Sequence, residues 1–292
     1  MPEPESMAEG TQRLVDTIER VLGTLPGRTA VGAYRLPAPS VHTPRRLPMA
    51  REAADDENTS GDSRGAHLEI RASDVFAAAS LAKLPIAVEV LRRVSLGQFA
   101  LDERFDTSSE PRVGGGGLLD FLAPATELTL RELSLLMIAV SDNTASNFLF
   151  DLVGMGEVNE TISRMGLAQT RLARHFMDMQ ARAAKRENLT SANDMATLLA
   201  QVQRGMVAHA RELRDMLRAQ RCGDDIRDAL PPDVDLEHKT GGLEGLFHDA
   251  GIVTGTRGAC AYCVLTAEQD DLPAARLATG RIVRILWDSW CA

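Results

Sequence analysis

Three short groups of residues in this chain have the types and spacing that nucleophilic catalysis needs. In chain order they are Ser80-Leu81-Ala82-Lys83, Ser141-Asp142-Asn143 and Lys239-Thr240-Gly241. A serine hydroxyl becomes a nucleophile when a nearby base removes its proton, and a neutral lysine amine can be that base. Only three of the 32 lysines and arginines are lysines, and two of those three lie in these groups. A lysine retained in so arginine-rich a chain indicates a position that needs lysine chemistry.

The first group stands near the predicted start of a helix. Ser80 precedes the apolar segment LAKLPIAVEVLRRV, and Pro85 lies early in that segment, as is typical of a first helical turn. The helix dipole favours negative charge there, and Lys83 lies on the same face as Ser80. Burial and a second cation lower the pKa of a lysine, and Lys239 supplies that cation if its strand lines the same cleft. Taken alone, Ser80 would be interpreted as a helix cap and Lys83 as a solvated residue.

The second group lies in a predicted loop between two helices. Ser141 can pass a proton between the nucleophile and a leaving nitrogen. Asn143 offers a donor and an acceptor, which suits a substrate amide and the Lys83 amine together. The alternative is a cap for the following helix, and Asp142 can fill that role while its neighbours face the cleft.

The third group is predicted to close a strand and to begin a glycine-rich turn, GGLEG. The Lys239 ammonium and the Thr240 hydroxyl form a site for a carboxylate. The backbone N–H of Gly242 can pair with that of Ser80 as an oxyanion hole. A plain hairpin would explain the glycines but not the retained lysine.

Apolar periodicity predicts the elements that must position these groups. Helices are predicted at 12–22, 81–96, 130–140, 145–153, 157–165, 192–204, 208–220 and 272–290, and strands at 29–36, 67–72, 234–240, 248–255 and 259–267. Strands at both ends with helices between them predict an α+β fold, an antiparallel sheet flanked by helices plus an all-helical lobe. The predicted units are an α/β lobe from 1–79 and 234–292, with a long loop insertion at 37–66, and a helical lobe at 80–233. The active site is expected between them.

Composition limits the classes of ligand. The net charge of −9 argues against nucleic acid or an anionic membrane as the main partner, and no apolar run reaches 18 residues. The six histidines show no metal-ligand spacing, so neither metal nor organic cofactor is predicted. We expect a small-molecule substrate, a cyclic amide or ester bearing a carboxylate. The oligomeric state does not follow from the sequence.

The four cysteines and the N-terminus bear on the compartment. The segment MPEPESMAEGTQR lacks the basic and apolar regions of a secretory signal, which predicts a cytoplasmic protein unless the natural chain starts earlier. The cysteines are therefore expected as free thiols. Cys260 and Cys263 resemble a CxxC pair but lie in the strand ACAYCVLT, where residues three apart point to opposite faces.

Over residues 67–270 the chain resembles the serine β-lactamase and penicillin-binding-protein superfamily, and within it the class A-like branch. The resemblance is carried by the three motifs and by FAAASLAKLPIAVEVLRRVSLGQFALDERF, LTLRELSLLMIAVSDNTASNFLFDLVG and HKTGGLEGLFHDAGIV. It implies acylation of the Ser80 hydroxyl with Lys83 as base and Ser141 as proton shuttle. It also implies Asn143 and Thr240 as substrate contacts and Lys239 as the electrostatic partner.

The chain departs from that family where water would be activated. Class A β-lactamases carry a glutamate shortly after an R-L-x-R segment, whereas here Arg171-Leu172-Ala173-Arg174 is followed by Phe176 at the glutamate position. Asp178 and Glu187 are the nearest carboxylates; each is a candidate for deacylation or a surface or capping residue. His248 and Asp249 replace a cation often found after the third motif, which indicates a different carboxylate partner or a different substrate.

Three functions remain open on the sequence. The first is a β-lactamase-like serine hydrolase that opens a β-lactam or related cyclic amide through an acyl-enzyme on Ser80. The second is an intracellular serine esterase, peptidase or acyltransferase of a biosynthetic pathway. The third is a catalytically silent protein that binds β-lactam-like ligands.

Overall fold

The computed structural model of the protein describes residues 7–37, 66–123 and 127–292, without the side chains of residues 7 and 8. Almost all of the predicted insertion at 37–66 lies outside the described residues. None of the helices in the described ranges is long and apolar enough to cross a membrane.

Most elements lie close to their predicted positions. The described helices are α1 (Met7–Leu22), α2 (Lys83–Ser95), α3 (Leu130–Ala139), α4 (Asn143–Val153), α5 (Met155–Arg164), α6 (Met179–Ala183), α7 (Ala192–Gln203), α8 (Ala210–Arg218), α9 (Asp224–Asp228) and α10 (Leu272–Trp290). The described strands are β1 (Arg28–Leu36), β2 (His67–Ile70), β3 (Phe76–Ala77), β4 (Arg104–Asp106), β5 (Glu127–Thr129), β6 (Leu189–Thr190), β7 (Asp235–Leu243), β8 (Leu246–Gly255) and β9 (Gly258–Ala267). Single 3-10 turns occur at Ala79–Ala82 and Leu119–Phe121.

Strands from both ends of the chain form one five-stranded sheet in the order β2-β1-β9-β8-β7, and every neighbouring pair is antiparallel. The predicted α+β fold, an antiparallel sheet flanked by helices, is confirmed. Because β7 lies at the edge of this sheet, the strand that bears Lys239 and Thr240 has one side without a strand partner in it.

Each face of the sheet is covered by helices. One apolar core joins α1, α9 and α10 to one face, and the other joins the opposite face to α2, α3, α4, α5, α7 and α8. Cys260 belongs to the first core and Cys263 to the second, so the two thiols point to opposite faces as predicted. The division into lobes at 1–79 with 234–292 and at 80–233 stays a prediction.

One local expectation is wrong. The glycines after Thr240 do not begin a turn, because β7 continues to Leu243 and pairs Gly241 with His248 and Gly242 with Phe247. The turn comes later, at Glu244 and Gly245. Gly241 lies close to the turn that carries Ser80: a Cβ there would be 3.3 Å from Ala79 Cβ and 3.4 Å from the Ser80 nitrogen. Its missing side chain lets the edge strand approach the turn that carries Ser80.

Candidate active site

Ser80 lies in a 3-10 turn rather than in the first turn of the helix. The turn Ala79–Ala82 leads directly into α2, and Ala79 has a φ of +46°, in the left-handed region that side chains rarely adopt. Leu81 and Ala82 are buried and fix this turn to the core. Backbone strain of this kind is held by surrounding packing and clusters at functional sites.

Three oxygen atoms lie within hydrogen-bonding distance of the Lys83 side-chain nitrogen. Lys83 Nζ is 2.6 Å from the Ser141 carbonyl oxygen, 2.9 Å from Ser141 Oγ and 2.8 Å from Asn143 Oδ1. Ser141 Oγ in turn lies 2.9 Å from Ser80 Oγ. The hydrogen-bonded path between Ser80 and Lys83 therefore runs through Ser141.

Burial sets the charges of the two lysines. Both side chains are fully buried. Burial lowers the pKa of Lys83 well below its usual range, and the nearby Lys239 cation lowers it further. Burial also lowers the pKa of Lys239, to about 8, and its ammonium donates to the Thr240 carbonyl oxygen at 2.9 Å. Both effects shift Lys83 toward its neutral form, while Lys239, with a pKa of about 8, stays mostly protonated at neutral pH.

Asp142 holds the second motif in place. Its Oδ1 accepts the Ala145 N–H at 2.8 Å as the cap of α4, and its Oδ2 accepts the N–H groups of Leu118 and Leu119 at 2.7 and 2.8 Å. Ser141, with a φ of +56°, turns the chain so that its side chain faces Ser80. A helix cap and a cleft-facing serine therefore coexist in adjacent residues.

Asn143 joins Lys83 to a run of four glycines. Its Oδ1 accepts from Lys83, and its Nδ2 donates to the Gly114 carbonyl oxygen at 2.9 Å. The residue also lines the cleft. Its role as a substrate contact stays a prediction.

These elements enclose a cleft of about 400 Å³. The predicted site residues that line it are Ser80, Ser141, Asn143, Thr240, Gly242 and Glu187. The sequence reasoning missed several other lining residues, among them Gly115, Gly116, Met177, Met179, Cys222 and Arg276. Four consecutive glycines at 114–117 are a sequence signal for backbone that approaches a ligand closely. The other missed residues reach the cleft only through tertiary packing.

Phe176 stands at the position where a glutamate is expected, and its aromatic ring lies against the buried Lys83. The ring centroid lies 4.8 Å from Lys83 Nζ. Asn147 fixes the backbone of Phe176 by accepting its N–H at 2.8 Å and donating to its carbonyl oxygen at 3.1 Å. An aromatic ring cannot take a proton from water.

The two alternative carboxylates are engaged elsewhere. Asp178 caps the short helix α6 by accepting the Ala181 N–H at 2.8 Å, and it is not among the residues that line the cleft. Glu187 lines the cleft, but its Oε1 lies 2.6 Å from a guanidinium nitrogen of the buried Arg174 and its Oε2 lies 3.7 Å from Arg182. Neither carboxylate is held next to Lys83 and Ser80 as a free base.

His248 does not supply the positive charge that is expected after the Lys239-Thr240-Gly241 motif. It is fully buried, its Nε2 donates to the Ala77 carbonyl oxygen at 2.9 Å, and its Nδ1 accepts the Thr266 N–H at 3.2 Å. Burial lowers its pKa to about 4, which keeps the ring neutral. Asp249 is also buried, and it pairs with His238 and Tyr262 at 2.8 and 2.5 Å.

A cation reaches the cleft from a different element. Arg276 on α10 lines the cleft, with its guanidinium carbon 5.2 Å from the centroid of the Phe247 ring and a nitrogen 3.8 Å from Asp225. The side chain is about half exposed, at 48%. Within the described residues, no group of three or more histidines, cysteines or carboxylates is arranged to hold a metal ion.

The fold is an antiparallel sheet flanked by helices, and a serine and two buried lysines meet near its edge strand. Residues 58–290 match the model of the beta-lactamase enzyme family, and the chain belongs to that family, within the serine β-lactamase and penicillin-binding-protein superfamily.

Individual relatives agree with this assignment. The chain is 26% identical over 279 residues to the Beta-lactamase regulatory protein BlaB of Streptomyces cacaoi, covering 77% of this chain and 88% of that protein. A β-lactamase structure from Sphaerobacter thermophilus superposes with a TM-score of 0.78 at 26% identity, over 94% of this chain and 95% of that one. A β-lactamase structure from Chitinophaga pinensis shares the fold with a TM-score of 0.79 at 23% identity, over 95% and 99% of the two chains.

Proposed function

We propose that this β-lactamase-like serine hydrolase forms an acyl-enzyme on Ser80 by opening a β-lactam or a related cyclic amide. The observation that carries the proposal is the hydrogen-bonded path from Ser80 Oγ through Ser141 Oγ to Lys83 Nζ, with 2.9 Å at each step. Family membership supports the reaction class.

In the first step Ser80 Oγ attacks the amide carbonyl carbon. The Ser80 proton passes to Ser141 as the proton of Ser141 passes to the neutral Lys83 amine, so that Lys83 becomes the ammonium. The backbone N–H groups of Ser80 and Gly242 hold the resulting oxyanion. When the C–N bond breaks, Lys83 returns its proton through Ser141 to the leaving nitrogen, and the ester on Ser80 remains.

The substrate carboxylate binds at the β7 side of the cleft. Thr240 lines the cleft there, the buried Lys239 cation lies in the adjacent position of the strand, and Arg276 lines the cleft from α10. Two cations near one hydroxyl favour an anionic group over a neutral one.

A second function, a covalent β-lactam sensor, is favoured by two observations. Phe176 cannot activate water, and Asp178 and Glu187 are bound to other groups. The Streptomyces relative is named as a regulatory protein. In this version the acyl-enzyme forms but is released slowly, and its persistence is the signal.

Intact-protein mass spectrometry tests both versions in one time course. The protein is mixed with a penicillin and, separately, with an activated ester, and the mass is followed from seconds to hours. A transient adduct with turnover supports the hydrolase, and a stable adduct supports the sensor.

Ser80→Ala and Ser163→Ala serve as matched variants, because Ser163 is exposed on α5 outside the cleft. The adduct is expected to vanish in the first and to persist in the second. Absence of any adduct with either reagent in the unmodified chain contradicts the proposal.

A further inference from the structure

Cys222 is a thiol in the wall of the cleft for which the proposed reaction has no use. It lines the cleft together with Ser80, and its side chain is partly exposed. The other three cysteines, Cys260, Cys263 and Cys291, are buried, and burial raises the pKa of each. A small reagent that enters the cleft therefore meets one thiol, and that thiol is at position 222.

Backbone contacts on both sides fix the position of Cys222. The N–H of Arg221, the residue before it, donates to the Ala139 carbonyl oxygen at 2.8 Å, at the end of α3. Gly223, the residue after it, packs so closely on β7 that a Cβ there would lie 2.5 Å from Thr240 Cγ2. The segment that bears the thiol is therefore held between the end of α3 and the edge strand of the sheet.

The hydroxyl of Thr240 faces the same cleft without a partner. Only 8% of Thr240 is exposed, it lines the cleft, and no hydrogen bond within the described residues engages its hydroxyl. A nearly buried hydroxyl that is left free in a cavity indicates a group on a ligand that it would bind. Beside Cys222, this donor can stabilise the sulfur anion that leaves in a thiol–disulfide exchange.

The surroundings of Cys222 are cationic. Electrostatic interaction with Cys222 raises the pKa of the buried Lys83 and Lys239 amines, against the lowering by burial, so both amines lie near the thiol. The same cleft is lined by three arginines: Arg174, Arg182 and Arg276. Reactive cysteines are found in such electropositive, partly exposed surroundings. The field also favours the approach of an anionic reagent over a cationic one.

We propose that Cys222 forms a reversible mixed disulfide with a small anionic organic disulfide, and that the attached group fills the cleft and excludes substrate from Ser80. The Cys222 sulfur attacks one sulfur of the reagent, and the S–S bond of the reagent breaks as the new S–S bond forms. The departing thiol takes the proton that Cys222 gave up, and a reducing thiol reverses the exchange. The modification itself is independent of acylation; its effect on acylation rests on the proposed function.

Intact-protein mass spectrometry tests the modification with two reagents of opposite charge, 3,3′-dithiodipropionate and cystamine. Each rate is divided by the rate of the same reagent with a short neutral cysteine peptide, which removes differences in intrinsic reactivity. We expect a single adduct that dithiothreitol removes. The normalised rate of the anionic reagent should exceed that of the cationic one about tenfold. Peptide mapping of the unmodified chain locates the adduct without any variant.

Two variants and an acylation assay complete the test. Cys222→Ser is expected to take up no reagent, whereas Cys291→Ala keeps the adduct because Cys291 is buried. In the unmodified protein the adduct should abolish acylation of Ser80 by a penicillin, and dithiothreitol should restore it. The acylation rate of Cys222→Ser should not change when that variant is treated with the disulfide.

Absence of an adduct, an adduct mapped to another cysteine, or a cationic reagent that reacts as fast as the anionic one overturns the proposal. A complete adduct on Cys222 that leaves the acylation rate unchanged also overturns it. If neither a penicillin nor an activated ester acylates the untreated protein, the proposed function fails by itself, and the adduct with its charge preference still decides whether Cys222 is the modification site.

Discussion

At the scale of single residues, burial gives the two lysines of the site different charges. Burial and the nearby Lys239 cation lower the pKa of Lys83, and the Phe176 ring beside it carries no negative charge that would raise this pKa again. Lys239, with a pKa of about 8, remains mostly protonated at neutral pH. Arginine could not replace Lys83, because a guanidinium does not lose its proton in proteins.

The rate of Ser80 acylation is expected to fall above about pH 8. As the pH rises through the pKa of Lys239, the cation near the substrate carboxylate is lost. On the acid side the rate falls when Lys83 gains a proton and ceases to be a base. Lys239→Arg should move the alkaline decline to higher pH, because its charge persists. The test is to measure acylation rates from pH 5 to 10 in both proteins. If the decline at alkaline pH is unchanged in Lys239→Arg, the titration of another group causes it.

Phe176→Glu is expected to shorten the life of the acyl-enzyme. It places a carboxylate near Lys83 and the Ser80 ester, and a positioned general base accelerates such steps on the order of a hundredfold. The new negative charge should also raise the pKa of Lys83 and slow acylation near neutral pH. The decay of the penicillin adduct is the measurement. Phe176→Leu is the control for lost aromatic packing, and equal decay rates in the two variants would contradict the argument.

At the scale of elements, three segments meet at the nucleophile: the 3-10 turn before α2, the loop between α3 and α4, and the edge strand β7. Apolar periodicity located the eight longer helices and the five strands of the main sheet. It missed the short helices α6 and α9 and the small strand pairs β3–β6 and β4–β5, since two to five residues are too few to show a period. The extension of β7 through Gly241 and Gly242 was not predicted for another reason. Two adjacent glycines favour a turn locally, and pairing with β8 overrides this local preference.

His248 ties β8 to the segment just before Ser80, and this bond predicts acid sensitivity. The ring pKa is about 4 in the folded protein, below the ordinary 6.5, so the unfolded chain binds a proton first as the pH falls. Above about pH 6.5 this histidine does not lower the free energy of unfolding. Between about pH 6.5 and pH 4 the free energy of unfolding falls progressively, by about 3 kcal/mol in total.

Urea unfolding of His248→Gln at pH 7, 5.5 and 4.5 tests this. The glutamine amide can still donate towards the Ala77 carbonyl oxygen but does not titrate, so the variant should lose less stability on acidification than the unmodified protein. His209→Asn, at an exposed position, is the control and should keep the full slope. Identical slopes in His248→Gln and the unmodified protein would show that other groups govern acid unfolding.

At the scale of the whole molecule, an acidic chain encloses a cationic cleft. The net charge is −9, yet the lining includes Arg174, Arg182 and Arg276 against the single carboxylate of Glu187. Such a field repels polyanions from the surface as a whole and concentrates small anions at the site.

An ion cluster around the buried Glu237 joins helix α8 to strand β7. Glu237 accepts from Arg214 at 2.7 and 2.8 Å and also from Arg218.

Glu237→Gln is expected to lower the free energy of unfolding by about 3 kcal/mol, since the neutral amide removes the carboxylate that pairs with the Arg214 guanidinium. Chemical unfolding at pH 7 measures the change. Asp235→Asn is the matched control: its carboxylate binds Arg218 at 2.9 Å but is 42% exposed, so the loss should stay below about 1 kcal/mol. A loss as small in Glu237→Gln as in Asp235→Asn would show that the buried cluster does not stabilise the contact between α8 and β7.

The sequence by itself determined the three motifs, the α+β fold and the position of Phe176, because each depends on residue types at short spacing or on local periodicity. Tertiary structure alone decided that Ser141 lies between Ser80 and Lys83, that Glu187 is bound to Arg174, and that Arg276 of α10 reaches the cleft. These contacts join residues 13 to 61 positions apart, or elements from distant parts of the chain. They follow from how the helices pack on the sheet, which no local pattern specifies.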